Sequence, residues 1–395
     1  MNDQELQAIE QLRKENSDLL SEKYASDYNI LRWAQGYDFD LDEASAQLRR
    51  HLKFRRFYDL DNVHKIEEHD ILMRYFPIGL VGETGKENTL LVIECAGRID
   101  FLGILKSVQM SDFLIQRFRL QEKMLAEMNH LEEKTGKQAA VIYILDLEGL
   151  KFETSLLSIV TGPYRILWTS VYTNYPEWVS QMLIVNAPSF ISLLWKGIAP
   201  FIPERTRNKV KICRANSDWK TTLQKYAKAE NIPVYWGGKL VDSNGDEMCR
   251  DRLNIPFDPI PQELYWTPDK KSPGLNDLNC ALIPAGKVKM ITFVVSEPEV
   301  TYIVMNRFCD RTFGMGIWYS TDTTVIDLED MDDWFPYFDY PGMPTVDYLR
   351  IKTPGDGVYK VKFSNEQSWI RSLNIFYRIH FEKENGDRAD FKELQ

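Results

Sequence analysis

Hydrophobic and polar positions divide the chain into three regimes. Residues 1–60 repeat at helical spacing, with one helix over 4–20 and a short one holding Ile30, Leu31 and Trp33. The clearest starts at Asp40, with Glu43 three residues on as a capping box. Leu41, Ala44, Leu48 and Leu52 form its apolar stripe, and Arg49, Arg50, Lys53, Arg55 and Arg56 are expected to face water. From Tyr75 to Lys239 strands alternate with helices. Residues 89–95 (TLLVIEC) and 139–145 (AAVIYIL) are continuous apolar runs, as for strands covered on both faces. Helices are expected over 112–133 and 156–172, so the order implies a largely parallel sheet flanked by helices, an α/β fold. Prolines 256, 259, 261, 268 and 273 then mark a linker that packs as an extended strap. Beyond it the period becomes two: Tyr359, Val361 and Phe363, then Ile375, Tyr377, Ile379 and Phe381. An all-β sandwich over about 276–383 follows, with a polar tail after it.

Residues 172–214 organise the middle regime. The apolar stretch from Met182 to Ile202 is long enough to suggest a membrane span, but Asn186, Pro188, Lys196 and Pro200 interrupt it. Pro188 divides it into a buried strand, 182–186, and a helix, 189–199. Phe190, Leu193, Leu194 and Ile198 fall at offsets 0, 3, 4 and 8 of that helix, and Trp195 and Phe201 widen this unusually apolar face. Two readings fit such a face, a core helix or a lid over an apolar container. Just beyond lies a basic cluster of Arg205, Arg207, Lys209, Lys211 and Arg214.

Charge changes the picture next. A net charge of -10 argues against nucleic acid as a partner, because phosphate binding needs a basic surface. Any docking on anionic membrane must therefore be local, and the 205–214 cluster with Lys196 fits; a solvated charged turn is the alternative. The five cysteines are scattered without a CxxC pair, so neither a zinc site nor a disulfide framework is expected. The first residues have no apolar segment of a secretory signal, and a reduced, cytosolic protein is expected.

Catalytic patterns are weak. Residues 79–86 (GLVGETGK) glance at a phosphate-binding loop, but the glycine spacing is wrong and Glu87 stands where Ser or Thr would hold magnesium. A hairpin turn is the better reading. Asp146 and Glu148 close a strand and could hold a cation, with a structural role the default. The histidines have no ligand spacing. No enzyme, metal or cofactor is expected.

Residues 174–177 (NYPE), 185–188 (VNAP), 200–202 (PFI), 206–210 (TRNKV), 146–149 (DLEG) and 232–238 (IPVYWGG) together resemble the CRAL-TRIO, or Sec-fourteen-like, lipid-binding domain. The lead-in Leu31-Arg32-Trp33 through Phe54-Arg55 is similar to its helical module, and the β-rich end resembles a GOLD domain, a jelly-roll sandwich. The resemblance implies a helical lead-in over 1–60, a lipid domain over 61–240, a linker over 241–275, a GOLD-like sandwich over 276–383 and a tail over 384–395. It implies a pocket for one hydrophobic molecule (a phospholipid, sterol precursor or tocopherol), with residues 190–202 as a mobile gate and no cofactor besides the lipid. In the phosphatidylinositol-transfer branch a glutamate and a lysine hold the headgroup; they match Glu177 and Lys209, while Tyr37 stands where that branch has an arginine. Lys196, Arg205, Arg207, Lys211 and Arg214 are the expected membrane-docking patch. The expected function is a cytosolic lipid carrier exchanging its ligand at membranes; the alternative is a lipid-sensing adaptor whose GOLD domain binds a Golgi or vesicle protein.

Overall fold

A computed structural model describes residues 1–256 and 258–394, apart from the side chains of Thr154 and Phe201. Two compact units are present. The first comprises Met1–Leu48, His64–Ile104 and Gln116–Gln262; the second comprises Arg49–Val63, Leu105–Ile115 and Glu263–Gln395.

The first unit opens with α1 (Asp3–Glu15), capped reciprocally by Asn2 and Glu5, and α2 (Asp27–Gly36), capped by Ser26. The helix α3 (Leu41–Tyr58) begins here and ends in the second unit, and α4 (Asp70–Tyr75) leads to the sheet. Its strands are β1 (Ile78–Glu83), β2 (Thr89–Glu94), β3 (Ala140–Asp146), β4 (Val179–Ala187) and β5 (Val210–Arg214), in that spatial order. The β1–β2 pair is an antiparallel hairpin through the glycine-rich turn; the other neighbours are parallel. Between β2 and β3 run α5 (Phe101–Ser107) and α6 (Met110–Thr135). Arg32 of α2 pairs with Glu132 of α6 and donates to the Ala139 carbonyl at 2.8 Å, fixing the lead-in to the entry of β3.

The sheet has two different faces. Leu91, Ile93, Ile142, Ile144, Leu183 and Val185 point to a dry core closed by Trp219, Trp236 and Leu253. The alternate residues Tyr143, Leu145, Met182 and Ile184 point the other way, as the strand period of two requires. That second face is covered by α7 (Thr154–Ile159), a π-helical turn (Val160–Tyr164), α8 (Arg165–Asn174) and α9 (Ile191–Ile198). The single helix expected over 156–172 is therefore interrupted. Pro163 lies inside the π turn, where its missing N–H cannot continue the α-helical ladder. After α9 come α10 (Glu204–Arg207) and α11 (Trp219–Leu223).

The second unit is a two-sheet antiparallel sandwich. One sheet orders β10 (Asp332–Tyr340), β9 (Phe313–Ser320), β12 (Gly357–Ser364), β7 (Val288–Val295) and β14 (Phe391–Leu394); the other orders β11 (Asp347–Lys352), β8 (Val300–Phe308), β13 (Leu373–Lys383) and β6 (Asn279–Ile283). The expected polar tail thus contains a strand. Phe391 anchors it, its ring 5.5 Å from Phe381 and 5.9 Å from Phe293. The end of α3 belongs to this unit: Phe57 stacks on Phe335 at 4.2 Å, and Phe54 lies 6.0 Å from Phe338. The basic residues expected in water are engaged here instead. Lys53 bonds Asp333, Arg56 pairs with Asp332 at 2.7 Å, and buried Arg55 pairs with Asp61 at 2.5 Å.

Asp112 gives this unit a pH dependence. Burial, with a smaller push from the Asp347 charge, raises its carboxyl from 3.8 to about 6. A raised acid binds its proton more tightly when folded, so its favourable contribution is complete below the unfolded value and is lost as pH rises through about 6. Removing the buried charge is the gain and losing its contact with the positive end of α6 the cost, so Asp112→Asn is expected to stabilise the fold by about 1–3 kcal/mol at pH 7 and to lose that advantage near pH 4. Denaturant titrations at the two pH values check this.

Candidate functional site

On the helical side of the sheet lies an apolar chamber. Its floor is Leu145, Met182 and Ile184; its walls are Leu156, Val160, Tyr164, Trp168 and Tyr172; its cover is Ile191, Leu194, Trp195, Ile198 and Ile202. Nearly every lining atom is apolar, so water gains little there and a hydrocarbon chain gains much. Of the expected gate residues, Leu194, Trp195 and Ile198 face the chamber. Phe190 packs with Leu156, Val160 and Leu194 beside it, and the Phe201 side chain lies outside the described residues. Gly197 lets α9 lie close on the π turn, since a Cβ there would stand 3.0 Å from Thr161.

Beneath the aromatic wall is a buried polar layer. The Glu94 carboxylate accepts from Tyr143 and, at 2.7 Å, from Tyr164. Buried Arg117 lies over the Trp168 ring, 5.4 Å from its centroid. Burial alone would depress the guanidinium, but neighbouring Tyr143 and Glu94 hold it above arginine's usual value. Burial also pushes the Tyr172 phenol up. The Tyr143, Tyr164 and Tyr172 phenols and the Arg117 guanidinium therefore keep their protons.

Tyr172 is also a wall of a second cavity, whose mixed lining gathers several charged groups. The structure brings Tyr37, Glu177 and Lys209 together here, with Arg205 added. Glu177 receives Lys209 at 2.8 Å on one oxygen and Arg205 at 2.9 Å on the other. Arg205 also meets Asp38 at 2.7 Å, and Tyr37 stacks on Trp33. Glu177 holds a left-handed backbone, φ 53, a strained conformation of the kind that persists where the surroundings fix it. Arg205 thus lies in this cavity rather than in an open docking patch. Lys196, Arg207, Lys211 and Arg214 are exposed, the last three beside or on the edge strand β5.

Asp146 and Glu148 serve the framework. Asp146 accepts from the Trp236 indole at 2.9 Å and the Asn186 amide at 2.8 Å, tying β3 to β4 and to the end of the unit. Glu148 pairs with Arg98 at 2.9 Å and accepts from Tyr235. Burial would raise its carboxyl, but those two donors lower it. Gly149, just after Glu148, has φ +88, open to glycine at little strain. Among the described residues no group of three His, Cys, Asp or Glu is placed to hold a metal, and no helix is long and apolar enough to cross a membrane. A wider surface cleft shares Phe101, Leu150 and Leu156 with the apolar chamber.

A sheet floor, an apolar chamber and a helical cover define a lipid-binding module, and comparison with known proteins agrees. Residues 73–238 match the CRAL/TRIO domain, and residues 264–390 match the "F28H7_8_C:-like, C-terminal domain". The chain is 33% identical over 394 residues to CRAL-TRIO domain-containing protein F28H7.8 of Caenorhabditis elegans, covering 98% of this chain and 92% of that one. It is 24% identical to Protein ctg-1 of the same organism, over 90% of this chain and 92% of that protein. The chain belongs to the CRAL-TRIO family, whose members bind or transfer lipid and are typically not enzymes. The solved structure of Sfh5 resembles it at 18% identity and a TM-score of 0.47, over 65% of this chain and 93% of that one.

Proposed function

We propose that the protein carries one hydrophobic molecule in the chamber under α9 and exchanges it at membrane surfaces. The observation that carries this is the chamber itself, lined almost wholly by apolar atoms and covered by a short helix. A chain of about 16 methylenes gains on the order of 10 kcal/mol on leaving water, so moving it needs a closed container. The cover suits a gate. Leu194 and Ile198 face inward, whereas Leu193, Phe152 and Leu157 are exposed large apolar residues beside exposed Lys151 and Lys196. On opening, the inner face of α9 passes to the bilayer instead of to water.

The polar cavity is the place for a headgroup. Lys209 and Arg205 are anion donors held by Glu177, and Tyr172 separates them from the chamber by one side chain. Phosphatidylinositol, a sterol precursor and tocopherol remain the candidate ligands, and the C-terminal sandwich is read as GOLD-like, in the domain order of supernatant protein factor, also called tocopherol-associated protein. Docking falls to the exposed cations. Each contributes about 1 kcal/mol on an anionic surface, so Lys211→Gln with Arg214→Gln is expected to weaken vesicle binding about thirtyfold at low salt, with little effect in high salt. Lipid transfer between phosphatidylserine-containing vesicles reads this, and unchanged transfer at low salt would sink the docking model.

A further inference from the structure

The sandwich exposes one feature that ligand carriage does not use. Trp369 and Ile370, in the loop from β12 to β13, are 94% and 90% exposed. Their display is built, not slack. Asn365, itself buried, donates to the carbonyls of Ile283, Pro284 and Arg371 at 3.0, 3.1 and 2.9 Å. Ser368 then closes the turn, its hydroxyl giving 2.8 Å to the Arg371 carbonyl and accepting from the Arg371 amide. The two apolar side chains are left at the apex of a pinned loop. Around the same clamp, Leu282 and Val288 are also exposed, one just before Ile283 and the other just after Lys287, whose carbonyl binds the Asn365 amide.

We propose that this loop is a membrane-inserting tip, a second attachment point that seats Trp369 and Ile370 at the headgroup level of an anionic bilayer. Three arguments select a bilayer over a protein. A projecting apex of a few apolar side chains presents far less than the roughly 1,000 Å² a stable protein interface needs. Tryptophan followed by an aliphatic residue suits the membrane–water boundary, where the indole keeps its N–H wet. Charge favours the same partner. Lys287 and Arg371 are exposed beside the apex, and Arg311 reaches the Ser372 carbonyl at 3.4 Å. The nearby acids are Glu366, held by Lys362 at 2.9 Å, Asp339, bonded by Gln367 at 2.6 Å, and Asp310. With Lys362 paired to Glu366 and Arg311 to Asp310 at 4.0 Å, Lys287 and Arg371 give this rim a small excess of positive charge in a chain of net charge -10.

The test uses the full chain and vesicles of phosphatidylcholine and phosphatidylserine at about four to one. The emission of wild type minus that of Trp369→Phe isolates one indole among the ten. On vesicle saturation this difference spectrum is expected to move to shorter wavelength and to be quenched by acyl-brominated lipid. Trp369→Ser with Ile370→Ser is expected to weaken flotation with the vesicles by about thirty- to a hundredfold, from the apolar area no longer buried. Because both side chains are exposed, these variants leave the fold intact. A difference spectrum unmoved while the protein is vesicle-bound overturns the proposal and leaves docking to α9 and the β5 cations. Equal flotation of the double variant, or no binding of the wild type, overturns it as well.

Discussion

Ile184→Trp is expected to leave the protein without lipid. Ile184 lines the chamber floor and is 4% exposed, while its neighbours Leu183 and Val185 face the opposite core. The alternation along β4 therefore sends the new indole into the chamber and nowhere else. It takes the room of several methylenes, each worth about 0.8 kcal/mol, so affinity should fall about a hundredfold or more. Aromatic residues suit central strands, and the void receives the added volume, so the fold should tolerate the change within the about 1–3 kcal/mol typical of overpacking. Uptake of a fluorescent fatty-chain lipid, set against the unfolding midpoint, separates the two effects. Loss of uptake with a preserved midpoint is the expected pair.

Arg117→Met should be the most damaging single change in the layer under the chamber. It leaves the Glu94 carboxylate buried among Tyr143 and Tyr164 without its neighbouring cation. Arg117 acts on Glu94 as a neighbouring charge rather than as a hydrogen-bonded partner, so losing that compensation is expected to destabilise by about 1–3 kcal/mol. Adding Glu94→Gln removes the stranded charge, so the double variant should be more stable than Arg117→Met alone. Urea denaturation of the three proteins measures the coupling; an Arg117→Met midpoint equal to wild type would mean Glu94 does not depend on that cation.

Much of this was legible in the sequence because it rests on short-range patterns. The β2 and β3 runs, the break at Pro188 and the alternation in β12 and β13 each declare an element by its period and its punctuation. What escaped depends on partners far along the chain. Arg49–Arg56 read as a solvated face, yet Lys53 and Arg56 meet acids nearly 280 residues away. Arg205 read as part of a docking patch, although Glu177 and Asp38 draw it into the polar cavity. The Glu94 layer left one clue, a carboxylate closing an otherwise apolar strand. Phe391 was hidden because its strand is short and mostly exposed, an edge strand beside β7.

The most direct measurement is native mass spectrometry of the protein purified from cells, followed by extraction and identification of what it holds. One lipid per chain is the predicted result, with the Ile184→Trp protein at its bare mass. Wild-type protein at the bare mass, and still bare after incubation with phospholipid, sterol and tocopherol vesicles, would contradict the chamber's role as a carrier.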